Sequence, residues 1–348
     1  MTARRTSGIE RWIRPQPAGL SVDTGHAASR FVLDAVRASD TVVVTHGHAD
    51  HARAGHRHVI ATPETLAIME ARYGRNFADE RTALAYHEPM EIGDCTVRLV
   101  PAGHVLGSAQ VVIDHGGRRV VVSGDYKRKA DPTCAPFEPV ACDVFVTEAT
   151  FALPVFSHPE PNGEIQKLLY SLQLFPARSH VVGAYSLGKA QRLIALLRQA
   201  GYEKTIYLHG AQQKLCALYE DLGVPLGSLA PATAGEKGKP REDLAGEIVI
   251  APPSALADRW ARRLPDPIII MASGWMQIRQ RAKQSGVEMP LILSDHADWA
   301  DLLRTIEEIA PAEVWVTHGR ETALIRALHL KGIHARALSL VGYEDDAE

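Results

Sequence analysis

The densest chemistry in the sequence lies in His46-Gly47-His48-Ala49-Asp50-His51, where three imidazoles and one carboxylate fall within six residues. Side chains of this kind are costly to crowd together unless something, such as a cation, uses them. Alternate spacing aims His46 and His48 at one ion, and Asp50 and His51 can then turn to a second. Imidazole nitrogen and carboxylate oxygen are donors that zinc accepts, at about 2.0–2.2 Å. His104, in Ala102-Gly103-His104-Val105-Leu106-Gly107-Ser108, supplies a third nitrogen to the first ion, and its flanking glycines permit close backbone approach. Asp125, on the turn Ser123-Gly124-Asp125, is a carboxylate that two ions could share. Such sharing sets ions about 3.5–4 Å apart, the spacing used in phosphate ester cleavage. His318, in Val316-Thr317-His318-Gly319, completes the second ion with Asp50, His51 and Asp125. Taken singly, His104, Asp125 and His318 would each also fit a loop, turn or cap role.

Three further residues stand near these. Asp23, in Ser21-Val22-Asp23-Thr24-Gly25, ends an early strand. It is expected to accept a hydrogen bond from a ligand imidazole or loop N–H, although a plain turn role fits nearly as well. Glu148 and His296 also follow strands. A histidine outside the ligand set, paired with a carboxylate, suits protonation of a leaving group, and a structural pair fits the same residues equally.

The elements that must position these groups repeat one pattern. A short β-branched run ends and a polar or glycine-rich cluster follows: Val42–Val44 before Thr45, Val97–Val100 before Ala102, Val120–Val122 before Ser123, Val144–Val146 before Thr147, Ile292-Leu293 before Ser294, and Val314–Val316 before Thr317. Short apolar runs bounded by turn residues read as buried strands. Polar groups just past them gather at one edge of a sheet. Helices are expected over Ala27–Ala38, Pro63–Arg72 (Thr62 as N-cap), Ala190–Ala200, Gln212–Leu222, Ser254–Arg263 and Trp299–Ile309. Between Phe156 and about Pro290 lies a separate alternation of strands (Val181–Gly183, Thr205–Leu208, Ile248–Ala251, Ile268–Met271) and helices, with few His/carboxylate clusters. Ala230–Gly246, rich in Gly, Pro and charge, reads as a surface loop. The class is α/β, with one domain inserted in another: 1–155 and 291–348 form the metal domain, and 156–290 the insertion.

Length and composition bound the rest. The 348 residues suit two domains, and 46% apolar content is that of a globular chain. No apolar run of membrane-spanning length and no secretory leader are found, and four scattered cysteines suggest reduced thiols, so a cytoplasmic protein without membrane attachment is expected. A net charge of −3 from 38 basic and 41 acidic residues neither demands nor excludes nucleic acid. Candidate phosphate contacts are Lys127-Arg128-Lys129 just after Asp125, Ser186 and Lys189 before one helix, Ser273 before another, and Arg279, Lys283 and Arg320. For each charged residue alone, a solvated surface role fits as well.

Taken together, H-x-H-x-D-H, Ala-Gly-His-Val-Leu-Gly-Ser and Ser-Gly-Asp resemble the metallo-β-lactamase superfamily. Glu148, Ser294-Asp295-His296-Ala297-Asp298 and Val316-Thr317-His318-Gly319 are similar to the extra motifs of its β-CASP nuclease branch. Ala184–Gln191 and Ala272–Met276 look like that branch's helix-capping loops. The resemblance runs from about Gly19 to about Gly342 and is strongest to bacterial ligase-associated DNA exonucleases. It implies an αββα sandwich with an inserted β-CASP domain, two Zn2+ (Mn2+ as a substitute) and hydroxide attack on a phosphodiester. It also implies that Glu148 orients His296 as the general acid. By this likeness the chain is a DNA exonuclease in repair or end processing, acting on single-stranded or frayed ends, with a DNA ligase as partner. His318 departs from the eukaryotic-type DNA-repair branch but agrees with both the RNA-processing branch and the bacterial ligase-associated group, so an RNA-processing nuclease is the main alternative. A metallo-hydrolase of small esters or thioesters and a non-catalytic scaffold are further ones.

Overall fold

In the computed structural model, residues 8–234, 239–240, 244–284 and 286–338 are described. The alternation expected of the Val-rich runs builds two sheets. One has six strands in the spatial order Ile13–Gln16, Gly19–Asp23, Arg30–Leu33, Thr41–Val43, His56–Ala61, Ala78–Ala83. The other has seven: Ala335–Ala337, Glu313–Gly319, Val144–Ala149, Arg118–Val122, Ala109–His115, Cys95–Pro101, Met90–Ile92. Side chains two apart share a face. Val120, Val122, Val144 and Val146 thus join Leu20, Val22, Phe31 and Leu33 of the first sheet in one buried core. The residues between them face outward: Val121 and Phe145 pack with Leu302, Ile306, Leu324 and Leu328 from the helices Trp299–Ile309 and Glu321–Leu330. On the first sheet, Val42 and Val59 pack with Met69 of the helix Pro63–Tyr73, which Thr62 caps through the amide of Thr65. The layers are helix, sheet, sheet, helix.

The chain divides into two compact units, passing between them at Ser157–His158 and Asp295–His296, against 155–156 and 290–291 read from the sequence. The second unit has a parallel sheet, ordered Leu229–Pro231, Ile206–Leu208, Ile248–Ala251, His180–Gly183, Ile268–Ala272, Met289–Leu291. Its helices include Pro161–Leu174, Lys189–Gln199 and Gly210–Asp221. Among the described residues no helix is long and apolar enough to cross a membrane.

Four expectations need correction. Ala27–Ala38 is not a helix: Arg30–Leu33 is a strand paired on both sides, with Phe31 and Leu33 turned into the core. Period-2 burial and two pairing partners outweigh the helical spacing of Phe31 and Ala35. Ser254–Arg263 breaks into the single turn Pro253–Leu256 and the 3-10 turn Ala261–Arg263, with the Asp258 carboxylate accepting the Arg259 amide between them. The strand read at Ile292-Leu293 ends at Leu291. Within Ala230–Gly246, residues 229–231 form an edge strand and Thr233–Ala234 pairs with Lys239–Pro240. The stretches 235–238 and 241–243, like Gly342, lie outside the described residues.

Candidate metal centre

Strand ends deliver the donors, as the sequence pattern requires. After Thr41–Val43 the chain turns at His48, whose carbonyl accepts the amides of His51 and Ala52 at 3.2 and 2.7 Å. That turn separates His46 and His48 from Asp50 and His51. Arg72 anchors the loop through the Gly47 carbonyl at 2.6 Å. His104 sits on a loop whose amides at 104 and 105 donate to Ser108 Oγ at 3.0 and 3.2 Å. Gly103 has φ +75, and a Cβ there would lie 2.5 Å from the Lys127 carbonyl oxygen, so only glycine lets the two loops approach this closely. Asp125 follows the strand Arg118–Val122, and His318 lies near the end of Glu313–Gly319, where the pairing with Val144–Ala149 shifts register.

The donors converge in two sets that share Asp125, and a third set joins Asp125 to Glu148 and His296. In the first, His48 Nδ1 is 3.0 Å from both His46 Nε2 and His104 Nε2. Asp125 Oδ2 lies 3.5 Å from His46 Nε2 and 3.8 Å from His104 Nε2. In the second, His51 Nε2 is 3.6 Å from Asp125 Oδ2 and 3.3 Å from Asp50 Oδ2, and the His51 and His318 rings are 5.4 Å apart. Tetrahedral bonds of about 2.1 Å put neighbouring donors roughly 3.4 Å apart, so both sets fit a divalent ion. A cavity of about 30 Å³, lined in part by His51, Asp125 and His318, reaches down to Leu33 and Val146 and has room for one such occupant.

The electrostatics agree. Burial and the neighbouring imidazoles hold His46 well below the usual histidine range. Burial and His51 push His318 down to about 3. Burial, partly offset by His51, pushes Asp125 up to about 7. Burial opposes charge on His51, but Asp50, Asp125 and Asp34 outweigh it and raise His51 well above its usual value. Burial opposes charge on Asp50, and His51 overrides it and lowers the carboxyl. His46 and His318 are thus kept neutral, as a cation's nitrogen donors must be, while His51 and Asp125 would give up protons to a cation bound in this buried volume.

Beside the donors stands a second carboxylate–imidazole pair. His296 Nδ1 is 2.9 Å from Glu148 Oε2, and the His296 and His104 rings are 4.7 Å apart. Glu148 is buried and also accepts from the Tyr126 amide (2.7 Å) and Thr150 Oγ1 (2.6 Å). The expected partnership of Glu148 with His296 is present.

Other expected site residues fall elsewhere. Asp23 does not support a ligand: it accepts the Gly25 amide at 3.0 Å and pairs with Arg30 at 3.3 Å, as a turn residue does. The supporting carboxylate is Asp34, which the sequence reading missed. It accepts from His51 Nδ1 (2.7 Å), the Thr45 amide (2.7 Å) and Thr45 Oγ1 (2.6 Å). Its signal, an acid directly after an alternating strand, was hidden by reading 27–38 as a helix. Lys127 is buried and paired with Asp131, so it is no rim cation. Arg128 is committed to Glu308 (2.7 Å) and stacks on Phe137. Lys189 is buried against Asp295 (3.3 Å). Burial of a lysine requires neutralisation by a carboxylate, which removes both from phosphate recognition. Ser273 caps the Trp275 amide, and the Ser186 carbonyl accepts Gln191 Nε2. Lys129 is half-buried, and Arg279, Lys283 and Arg320 are exposed.

Layers of helix, sheet, sheet and helix, with two His/Asp donor sets at the strand ends, define a metal-site α/β fold. Residues 19–209 match the family model described as a beta-lactamase superfamily domain. The chain belongs to the metallo-β-lactamase superfamily, a fold family that binds divalent metal, and its relatives are consistent with the β-CASP branch. It is 29% identical over 313 residues to a protein of Opitutus terrae named a probable DNA ligase, spanning 88% of this chain and 29% of that one. It is 24% identical over 295 residues to the Candida albicans endoribonuclease YSH1, covering 69% of this chain and 34% of that one. Similarity to an RNase J-like protein of Methanocaldococcus jannaschii is 23% over 239 residues, 62% of this chain and 53% of that one. The chain thus spans about a third or less of the first two relatives. Among solved structures, an Enterococcus faecalis V583 protein of unknown function superposes with a TM-score of 0.53 at 16% identity, over 86% of this chain and 79% of that one. That likeness concerns the fold alone.

Proposed function

We propose that this chain is a dinuclear zinc phosphodiesterase that digests DNA from single-stranded or frayed ends, in cytoplasmic repair or end processing. What carries the reading is the pair of donor sets sharing Asp125, with the Glu148–His296 pair beside them. His46, His48 and His104 would hold one ion, Asp50, His51 and His318 the other, with Asp125 between. The nitrogen and carboxylate donors favour zinc, and Mn2+ is a workable substitute. Divalent ions bound there supply the Lewis acidity that activates water and offsets charge at phosphorus.

The chain's own residues do the rest. Asp34 fixes the ring of His51 through Nδ1, aiming Nε2 inward. Glu148 does the same for His296, leaving Nε2 as the atom that hands a proton to the leaving oxygen. Lys129, Arg279, Lys283 and Arg320 are the cations proposed to follow the phosphates. The four free thiols accord with a reducing compartment. The name of the Opitutus terrae relative supports DNA as the substrate and a ligase as partner. The names of the YSH1 and RNase J-like relatives favour a second reading, RNA processing.

The test is digestion of end-labelled DNA and RNA of matched sequence, single- and double-stranded, with and without a 5′-phosphate, in zinc or manganese. Ladders growing from DNA ends are expected. Faster cleavage of RNA selects the second reading, and no cleavage of either by metal-loaded protein ends both. His296→Ala should keep its metal and lose about 10²–10⁴-fold in turnover.

A further inference from the structure

The residues that lead into His296 are held one after another by charged side chains. The Ile292 amide donates to Glu164 Oε2 at 2.9 Å. Lys189 Nζ donates to the Leu293 carbonyl at 3.2 Å, and Arg192 Nη1 donates to the Ser294 carbonyl. Asp295 then receives both cations on separate oxygens, Arg192 Nη1 on Oδ1 at 3.0 Å and Lys189 Nζ on Oδ2 at 3.3 Å. Glu164, Lys189, Arg192 and Asp295 are all buried. On the other side of His296, the Ala297 amide donates to the Tyr126 carbonyl at 2.7 Å and Asp298 caps the helix Trp299–Ile309. Tyr126 in turn gives its amide to Glu148, the carboxylate that holds the His296 ring.

Burying two cations is expensive, and a surface contact to phosphate would not require it. The clamp spends that cost on four consecutive residues with no regular hydrogen-bonded element of their own, where the strand has ended and the helix has not begun. A general acid must reach its leaving oxygen within hydrogen-bond distance, and a displacement of about 1 Å can cost about 10²-fold in rate. The geometry points to Lys189 and Arg192 as positioning residues for His296: by locking Asp295, they fix the backbone from which the proton donor projects. This rests on the reading of His296 as general acid. It gives Lys189 and Arg192 a role in proton delivery, in place of the phosphate contact that the sequence suggested for Lys189.

The test compares two substrates in the metal-loaded, full-length protein. One is the oligonucleotide cleaved best, whose alkoxide leaves poorly without a proton. The other is a nucleoside p-nitrophenyl phosphodiester, whose phenolate leaves unaided. Arg192→Met, Lys189→Met and His296→Ala are measured singly, and Arg192→Met also in the His296→Ala background. Arg192→Lys is made beside them, because it keeps a charge against Asp295 if the methionine variant fails to fold. Expected for the Arg192 and Lys189 variants is a kcat lower by about 10–100-fold on the oligonucleotide. KM and metal content should be unchanged, with little loss on the p-nitrophenyl ester and no further loss in the double variant. Arg192→Lys should lie between parent and Arg192→Met. Equal losses on both substrates, or additive losses with His296→Ala, would overturn the positioning role while leaving the acid in place. If His296→Ala itself showed no preference between the substrates, the underlying reading would fail instead.

Discussion

Asp34 is the residue whose removal discriminates best between a two-ion centre and a cluster of buried histidines. Its carboxylate takes three donors: His51 Nδ1 at 2.7 Å, the Thr45 amide at 2.7 Å and Thr45 Oγ1 at 2.6 Å. Asp34→Ala therefore acts twice. It frees the His51 ring to rotate and to change tautomer. Loss of an outer-sphere partner of this kind typically costs 10–100-fold in metal affinity, about 1.4–2.7 kcal/mol. It also strands the buried Thr45 amide, at about 1–3 kcal/mol, and leaves the Thr45 hydroxyl to its 3.1 Å contact with His46 Nδ1, which lowers stability whether or not metal is bound. The larger affinity loss should fall on the ion of the His51–His318 set, because Asp34 touches His51 directly but reaches His46 of the other set only through Thr45 Oγ1, which lies 3.1 Å from His46 Nδ1. Competition with a chromophoric chelator separates the two effects. The parent should release two ions in distinct steps. Asp34→Ala should release one of them at a chelator concentration about 10–100-fold lower, with the other step moved less. Two ions retained with parental affinities, or both weakened alike, would refute the assignment of Asp34 to one ion's ligand. The same titration on Asp23→Ala should match the parent, since Asp23 meets only Gly25 and Arg30 among the contacts described above.

Other outcomes follow from the same geometry. Asp125→Ala should weaken both ions together, and mass spectrometry under native conditions finding two full-occupancy ions would contradict a shared carboxylate. Metal uptake should release protons. His51 lies above its ordinary value and so is protonated near neutrality in the metal-free protein, and Asp125 titrates near 7. A raised His51 stabilises the metal-free fold fully below its unfolded pKa of about 6.5, and that contribution is lost as pH rises through the folded value. Metal affinity should therefore climb with pH, and calorimetry in buffers of different ionisation enthalpy should register the released protons. Gly103→Ala should lower the melting temperature, because the new Cβ meets the Lys127 carbonyl at 2.5 Å with φ at +75. An unchanged melting curve would mean that the two loops can part without cost. Neutralising Arg279, Lys283 or Arg320 should each reduce the slope of log affinity against log salt by up to about 1, whereas Arg128→Ala should leave it unmoved.

Much of the centre was legible because its residues come in local bursts. His46 to His51 announces itself within six positions, and the Val-rich strands point each later donor at the same edge. The layered fold was legible for the same reason: Val120-Val121-Val122 and Val144-Phe145-Val146 alternate between two cores, and each run is bounded by a turn. What escaped was whatever depends on which strands pair and on what ends up buried. Phe31 and Ala35 are spaced as on a helix, and only two flanking strands decide otherwise. With that strand missed, Asp34 looked like part of a helical surface. Cations were misjudged on similar grounds. Lys127 and Lys189 look like surface charge in the sequence, because their neutralising partners, Asp131 and Asp295, say nothing of burial until the chain is folded.

The two carboxylate–imidazole pairs show how one device serves two ends. Asp34 and Glu148 are both buried, both hold a histidine through Nδ1, at 2.7 and 2.9 Å, and both are themselves fixed by a backbone amide and a threonine hydroxyl. In isolation either histidine could serve as a ligand or as a proton carrier. The surroundings of Nε2 decide. That atom of His51 faces Asp50 and Asp125 oxygens at 3.3 and 3.6 Å, within the span of one coordination sphere, so a cation claims its lone pair. His296 lies beside His104, with ring centroids 4.7 Å apart, and is grouped with Asp125 and Glu148 rather than with the other histidines. Held through Nδ1 by Glu148, its ring leaves Nε2 to carry a proton beside the donor sets, which is what a donor to a leaving oxygen requires.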